Sequence, residues 1–327
     1  MVYMNFEQTN IDFLVQNIKE NDTILLLAHD YPDGDSVGSI IAMAYILKSL
    51  KVTPLIVLNN YDQSNWDFID FKHDIHISTQ EEIKARNDIS LTIVLDCSNL
   101  DRLGEQVQLI GKSKLIVNID HHADNNKFGN INIVKESSSV GEIIYNLISK
   151  LNVSINREIA YCILVSIASD TGRFKYSNTQ QTVFKIVEDL FNYLEGNDYA
   201  DIMRHLYSEI SLEKTQLTGL ILKNLEMLNG FVAFSFLEKD CGFVDGLVES
   251  IQTIKGARAS VMVRKIDSRI KISFRAKDLD IDVQELAKEF GGGGHIHAAG
   301  AAVELTNFKS QVQEIREKVT IYFRKYQ

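Results

Sequence analysis

Ile24-Leu25-Leu26-Leu27-Ala28-His29-Asp30-Tyr31-Pro32-Asp33-Gly34-Asp35-Ser36 decides the fold. An unbroken apolar run reads as a strand buried on both faces, the type found in parallel sheets. Within eight residues it gives way to a helix pattern over Ser36–Leu50. Pro32 and Gly34 permit a sharp turn between the two. His29, Asp33 and Asp35 fall inside that turn, at the carboxyl end of the strand, where open α/β sheets bind their ligands. Helix capping is the competing role for an Asp in that place.

Working outward, the same kind of run recurs at Leu55–Leu58, Leu91–Leu95, Leu115–Ile119 and Ile131–Val134. Helix patterns over Ser139–Leu151, Asn156–Ser169 and Thr179–Leu194 follow. Strands alternating with helices predict an α/β domain with a parallel sheet and helices on both faces, here residues 1–195. A charged, mostly helical stretch, 196–225, reads as a connector. Residues 226–327 predict a smaller α+β domain. Its strands are expected at Phe231–Phe236, Ala257–Val263 and Ile270–Phe274, and its helices at Leu279–Phe290 and Thr306–Phe323, the second capped by Asn307 or Thr306.

Length and composition agree with two ordinary globular domains. The chain has 327 residues, 45% hydrophobic and 24% charged. The cysteines Cys97, Cys162 and Cys241 are too few for a disulfide framework and suit a reducing compartment. MVYMNFEQTN lacks the features of a signal peptide, and no apolar run of membrane-spanning length exists, so a cytoplasmic location is expected. The net charge is −10. Lys255–Lys277 nevertheless holds eight basic residues against Asp267 alone. Overall acidity argues against long nucleic acid, which needs many phosphate-neutralising cations, but not against a short phosphorylated ligand.

Three further segments repeat the first theme. Leu91–Leu95 ends in Asp96, Leu115–Ile119 ends in Asp120-His121-His122, and an apolar helix ends in Ser169-Asp170-Thr171-Gly172. Any one of them is explicable as a turn or a structural pair. Together they place carboxylates and imidazoles at four element ends that a parallel sheet brings to one crevice. Hard divalent cations such as Mn²⁺ take carboxylate and imidazole ligands. Clustered carboxylates without ions repel one another and take up protons. Two ions about 3.5–4 Å apart lower the pKa of a shared water and clamp a phosphate.

His29-x-x-x-Asp33-x-Asp35, Asp96, Asp120-His121-His122 and Ser169-Asp170-Thr171-Gly172 resemble the four motifs of the DHH phosphoesterase superfamily. Gly291-Gly292-Gly293-Gly294-His295 with Ala298-Ala299-Gly300 resembles the signature of the DHH-associated C-terminal domain. The order and spacing are most similar to the short bacterial nanoRNase/oligoribonuclease and pAp-phosphatase type, with pApA and cyclic di-AMP phosphodiesterases as near relatives. The resemblance implies two Mn²⁺ ions, with Co²⁺ or Mg²⁺ as substitutes. It assigns His29 and Asp33 to one ion, Asp35, His121 and Asp170 to the other, and Asp96 to both. His122 would face the substrate phosphate and Asp120 would orient the histidines.

Ser273 and Arg275 in Lys271–Arg275, with Gly292, Gly293, Gly294 and His295, would bind the rest of the substrate, in a cleft between the two domains. The family pattern places Lys and Asn after the glycine-run histidine, where this chain has Ile296 and His297. That departure bears on base or sugar preference rather than on phosphoester chemistry. The expected partners are short RNA, linear or cyclic di-adenylate nucleotides and pAp, with no long duplex and no membrane, and a homodimer is expected from the relatives. Type II pyrophosphatases lack the Gly-His signature, and RecJ-type exonucleases carry extra domains. A non-catalytic nucleotide sensor would show degenerate ligands, and none is degenerate here. His73 and His76, spaced H-x-x-H, read as surface residues, Cys97 as buried and apolar, and His205 as structural.

Overall fold

The computed structural model describes residues 8–18, 22–61, 63–69, 75–209, 211–240 and 247–327. Cys241 and His73 lie outside these. The chain divides into two compact units, Met1–Glu209 and Ile210–Gln327.

The first unit is a five-stranded, wholly parallel sheet of order β2-β1-β3-β4-β5. Its strands are β1 (Thr23–Leu27), β2 (Thr53–Val57), β3 (Leu91–Leu95), β4 (Ile116–Asp120) and β5 (Ile131–Val134). All five correspond to the apolar runs of the sequence. Their side chains alternate between two cores, because successive residues of a strand point to opposite faces. Ile24, Leu26, Ile93 and Val117 join one core, beneath α2 (Gly34–Ser49), α4 (Val140–Ile148) and α5 (Arg157–Asp170). Leu25, Leu27, Leu55, Val57 and Val94 join the other, with Ile83 of α3 (Gln80–Lys84) and Leu103 and Leu109 of a 3₁₀ segment, Leu100–Lys112. Helix α1 (Gln8–Asn17) adds Ile11 and Leu14 to the first core, and α6 (Gln181–Leu190) adds Val183 and Ile186. The strand order reverses direction between β1 and β3, which makes the carboxyl ends of those two strands the topological switch point.

Residues 196–225, expected as a connector, are two helices with different allegiances. Helix α7 (Asp198–Tyr207) buries Ile202 in the core of the first unit. Helix α8 (Leu212–Lys223) buries Leu217 and Ile221 in the second. Each helix buries only one or two apolar residues, in a core formed by other parts of the chain.

The second unit is a six-stranded mixed sheet of order β10-β11-β9-β8-β7-β6. It comprises β6 (Glu226–Leu228), β7 (Val232–Leu237), β8 (Ala259–Ile266), β9 (Arg269–Ala276), β10 (Gly293–His295) and β11 (Ala298–Glu304). Only β7 and β8 pair in parallel. One face is covered by α10 (Val283–Lys288) and α11 (Phe308–Tyr322), with Leu286, Val312, Ile315 and Val319 packed on Ile272 and Phe274. The other carries α8 and α9 (Leu247–Gln252), with Ile251 packed near Met262. Among the described residues, no helix is long and apolar enough to cross a membrane.

Candidate metal centre

His29 follows β1 directly and is 6% exposed. Its Nδ1 bonds the Asp30 carbonyl at 2.7 Å, which turns Nε2 toward Asp33 Oδ2 (3.9 Å) and Asp96 Oδ2 (3.6 Å). Asp33 caps the helix with one oxygen and turns the other toward His29. Oδ1 accepts the backbone N–H groups of Asp35 and Ser36 at 3.0 and 3.1 Å and caps α2. Oδ2 is left facing His29. The turn needs Gly34, because a Cβ there would collide with the Ser169 side chain.

Asp35 lies in the first turn of α2, where the helix dipole favours a negative charge. It is 1% exposed. Its Oδ1 accepts the hydroxyls of Ser166 (2.6 Å) and Ser39 (2.9 Å), and its Oδ2 accepts the Val140 N–H (2.9 Å). Those bonds turn Oδ2 toward His121 Nε2 at 3.7 Å. Asp170, at the last turn of α5, brings its Oδ2 to 3.5 Å from the same nitrogen. His121 Nδ1 lies 3.2 Å from the Ser137 carbonyl.

Asp96 stands between these two groups. It is 2% exposed and adopts a left-handed backbone (φ 54°) just beyond β3. A non-glycine residue held in that region at a strand end is the kind of strain that collects at functional sites. Oδ2 faces His29 and accepts the Ser36 hydroxyl at 2.6 Å. Oδ1 faces His121 Nε2 at 3.7 Å. Donor atoms of His29, Asp33 and Asp96 lie within 4.8 Å of one another, as do those of Asp35, His121 and Asp170.

Asp120, fully buried at the end of β4, accepts His122 Nδ1–H at 2.8 Å and the Asn125 amide at 2.5 Å. His122 is held by this pair, with its side chain 31% exposed. The bond to Asp120 raises the His122 pKa, and the bonds from His122 and Asn125 outweigh burial to lower that of Asp120.

Burial, followed by repulsion from Asp96, Asp170 and Asp33, pushes the Asp35 carboxyl well above the ordinary range. Burial and Asp33 raise Asp96 as well. Burial raises Asp170 to about 6, with Asp33 and Asp96 adding to it and His121 opposing. A carboxyl raised in the folded state holds its proton to higher pH than in the unfolded chain. It therefore costs the metal-free fold stability as pH climbs from the ordinary carboxylate range through about 6. The Tm advantage of Asp170→Asn over the unmodified protein, measured in chelator, should be small at pH 4, grow up to about pH 6 and level off above it. A pH-independent difference would contradict the assignment of that charge to the cluster. Cys97, adjacent to Asp96, takes no part. Its thiol donates to the Asn99 carbonyl at 3.0 Å, and burial pushes its pKa up to about 12.

In the second unit, β9, β10 and β11 align two rows of residues. Gly293 pairs with Gly300 and Gly300 with Ser273, while His295 pairs with Ala298 and Ala298 with Arg275. Directly opposed residues share a face, so Ser273, Arg275 and His295 flank a strip of glycine and alanine. The glycine run forms a helix end and a strand. Gly292 N–H already donates to Ala287 O at 2.9 Å at the end of α10, and any side chain there would collide with the Gly300 carbonyl. Gly294 needs its φ of 137°. Gly293 has open space around it.

Sequence reasoning overlooked Arg102, whose Nη1 lies 3.3 Å from His122 Nε2. It also missed Ser36, Ser166 and Asn125, which hold the carboxylates in place. Only the Asn99 cap at the start of the 3₁₀ segment, whose Oδ1 accepts Arg102 N–H at 3.2 Å, was a local signal for the first of these.

Residues 23–167 match the model of the DHH family N-terminal domain, and residues 229–325 match the DHHA1 domain. The chain is 29% identical over 302 residues to the bifunctional oligoribonuclease and PAP phosphatase NrnA of Bacillus subtilis, covering 89% of this chain and 92% of that one. It is 27% identical to the protein of the same name from Thermus thermophilus, covering 90% and 89%. An exopolyphosphatase-related protein from Bacteroides fragilis superposes with a TM-score of 0.87 at 25% identity, over 99% of both chains. RecJ from Thermus thermophilus, solved with Mn²⁺, shares the fold at a TM-score of 0.55 and 15% identity, over 98% of this chain and 55% of its own.

Proposed function

Because the chain belongs to the DHH family, with that family's N-terminal domain followed by a DHHA1 domain, we propose that it is a divalent-metal phosphoester hydrolase acting on short oligoribonucleotides and pAp. Its products are mononucleotides, AMP from a linear substrate such as pApA. The names of the Bacillus and Thermus relatives support that substrate class.

The observation that carries the reading is Asp96. Its two oxygens face two separate donor groups, and its Oδ1, like His29 Nε2, is a buried polar atom with no hydrogen-bond partner. Buried polar atoms are ordinarily paired, and an orphaned nitrogen and oxygen aimed into a cluster of carboxylates and imidazoles fit a cation. The donors are oxygen and nitrogen without thiolate, which suits Mn²⁺ or Mg²⁺ better than a soft metal. His29, Asp33 and Asp96 would hold one ion, and Asp35, His121 and Asp170, with Asp96, would hold the second. When bound, such ions activate a water and neutralise the charge of the phosphate. The protein's own contribution is orientation. Asp120 fixes the ring of His122, a partner outside the ligands of the kind that sets a site's geometry, and His122 presents that ring to the phosphate.

Ser273, Arg275, Gly293 and His295 are the second unit's nucleotide contacts, with Gly292 and Gly294 shaping the backbone beneath them. Arg suits phosphate through its planar fork. Arg275→Ala should therefore raise KM for pAp by about tenfold, the size of one charge-assisted contact, and leave kcat nearly unchanged. A fall in kcat with KM unaltered would move Arg275 out of substrate binding.

The test of function is a competition assay. The protein receives Mn²⁺ and equimolar pApA, pAp, cyclic di-AMP, an RNA pentamer and pyrophosphate, with products separated by chromatography. AMP from pApA, pAp or the pentamer supports the proposal. Turnover of pyrophosphate alone contradicts it. Nucleotide binding without turnover of anything would favour a sensor.

A further inference from the structure

We infer that Arg102 is a substrate-contacting residue, which grips a non-bridging phosphate oxygen beside His122. The inference rests on the phosphoesterase reading above.

Arg102 is half-buried, at the edge of a centre whose carboxylates outnumber its cations. An arginine so placed would ordinarily form a bidentate ion pair with a carboxylate. Arg102 does not. Among the described residues, its guanidinium has one hydrogen-bond partner, His122 Nε2 at 3.3 Å. A guanidinium carries five N–H donors, so most of its capacity is unspent. The Asp120 carboxylate only accepts, so it takes its hydrogen bond from His122 Nδ1–H. The guanidinium only donates, so Arg102 brings N–H donors to the edge of the centre that His122 faces.

The backbone holds the residue in place. Asn99 accepts its N–H at 3.2 Å, and its carbonyl accepts Asp30 N–H at 2.6 Å. Asp30 is the neighbour of His29, and its carboxylate takes the amides of Asn59 and Asn60 at 2.8 and 2.7 Å. Two residues on, Gly104 adopts φ 56°, and a Cβ there would press on the Asp30 carboxylate. The 3₁₀ segment is thus bolted to the loop that carries His29 and Asp33. A guanidinium on so fixed a backbone is preorganised for an anion. A phosphate entering beside His122 takes over the Nη1 donor and engages the second amino group as a fork.

The test uses full-length protein with Mn²⁺. Arg102→Ala should lower kcat/KM on pAp and pApA by about 10²-fold, the scale of one lost transition-state donor. Arg102→Lys, which keeps the charge without the fork, should fall between. Added guanidinium chloride should restore part of the Arg102→Ala activity, and equal sodium chloride should not. A purely structural role would not respond to guanidinium. Binding of inorganic phosphate in Mg²⁺, followed by calorimetry, should weaken about tenfold in Arg102→Ala, the scale of one contact to a charged group. That arm needs no turnover. If the unmodified protein hydrolyses neither nucleotide, the functional reading fails, and phosphate binding still decides Arg102. Activity and phosphate affinity of Arg102→Ala within twofold of the parent overturn the inference. So does a loss of activity that guanidinium leaves unrescued.

Discussion

Asp96→Asn should reduce kcat/KM on pApA and pAp by about 10⁴-fold or more, roughly 5 kcal/mol of transition-state stabilisation. One carboxylate faces both donor groups, so a single substitution dismantles both. Asn is the informative replacement. It tolerates the left-handed backbone at this position, where φ is 54°. Its amide oxygen can still accept the Ser36 hydroxyl. The substitution also removes a buried carboxyl whose pKa is raised by burial and by Asp33, so the metal-free fold should not suffer. Circular dichroism in chelator should match the parent, and Tm should be no lower. Retention of more than a tenth of the activity would mean that Asp96 is not shared.

Mn²⁺ should raise the Tm of the chelator-treated protein substantially at neutral pH. An ion present at 100 times its dissociation constant stabilises by about 2.7 kcal/mol, and two such sites by about twice that. For a domain of this size, each kcal/mol moves Tm by about 2–4 °C, so a rise of about 10–20 °C is expected. The cause lies in Asp35, Asp96 and Asp170, whose pKa values are all raised, by burial first and then by repulsion from neighbouring carboxylates. The rise should shrink toward pH 5, where protons compete for the same carboxylates. Asp96→Asn should lose most of it. An Mn²⁺-independent Tm, recorded by calorimetry after exhaustive chelation, would contradict the centre as described.

Much of the catalytic unit was legible because its signals are local. β1, β3 and β4 are continuous apolar runs that end in His29, Asp96 and Asp120, and a strand end in a parallel sheet is a place as well as a pattern. The clustering of four such ends then followed from topology. What escaped the sequence is of two kinds. The carboxylates are held by partners far away along the chain, such as Ser166 and Val140 on Asp35, and no periodicity announces a contact across 131 residues. Arg102 was hidden in the same way, since it meets His122 across 20 residues of chain.

The second kind concerns weak formers. β10 and β11 are built largely of Gly and Ala, residues depleted in strands, so their sequence carries no strand signal. They form strands because β11 pairs with β9 along its whole length and small residues let the backbones approach. Likewise the charged stretch 196–225 forms two short helices whose few buried apolar residues, Ile202, Leu217 and Ile221, find partners elsewhere in the chain.

The most direct measurement of the central claim is anomalous diffraction from crystals grown with Mn²⁺. Two peaks are expected, one beside His29 and Asp33 and one beside Asp35, His121 and Asp170, with the Asp96 carboxylate between them. A single peak, or peaks that Asp96 does not touch, would contradict it.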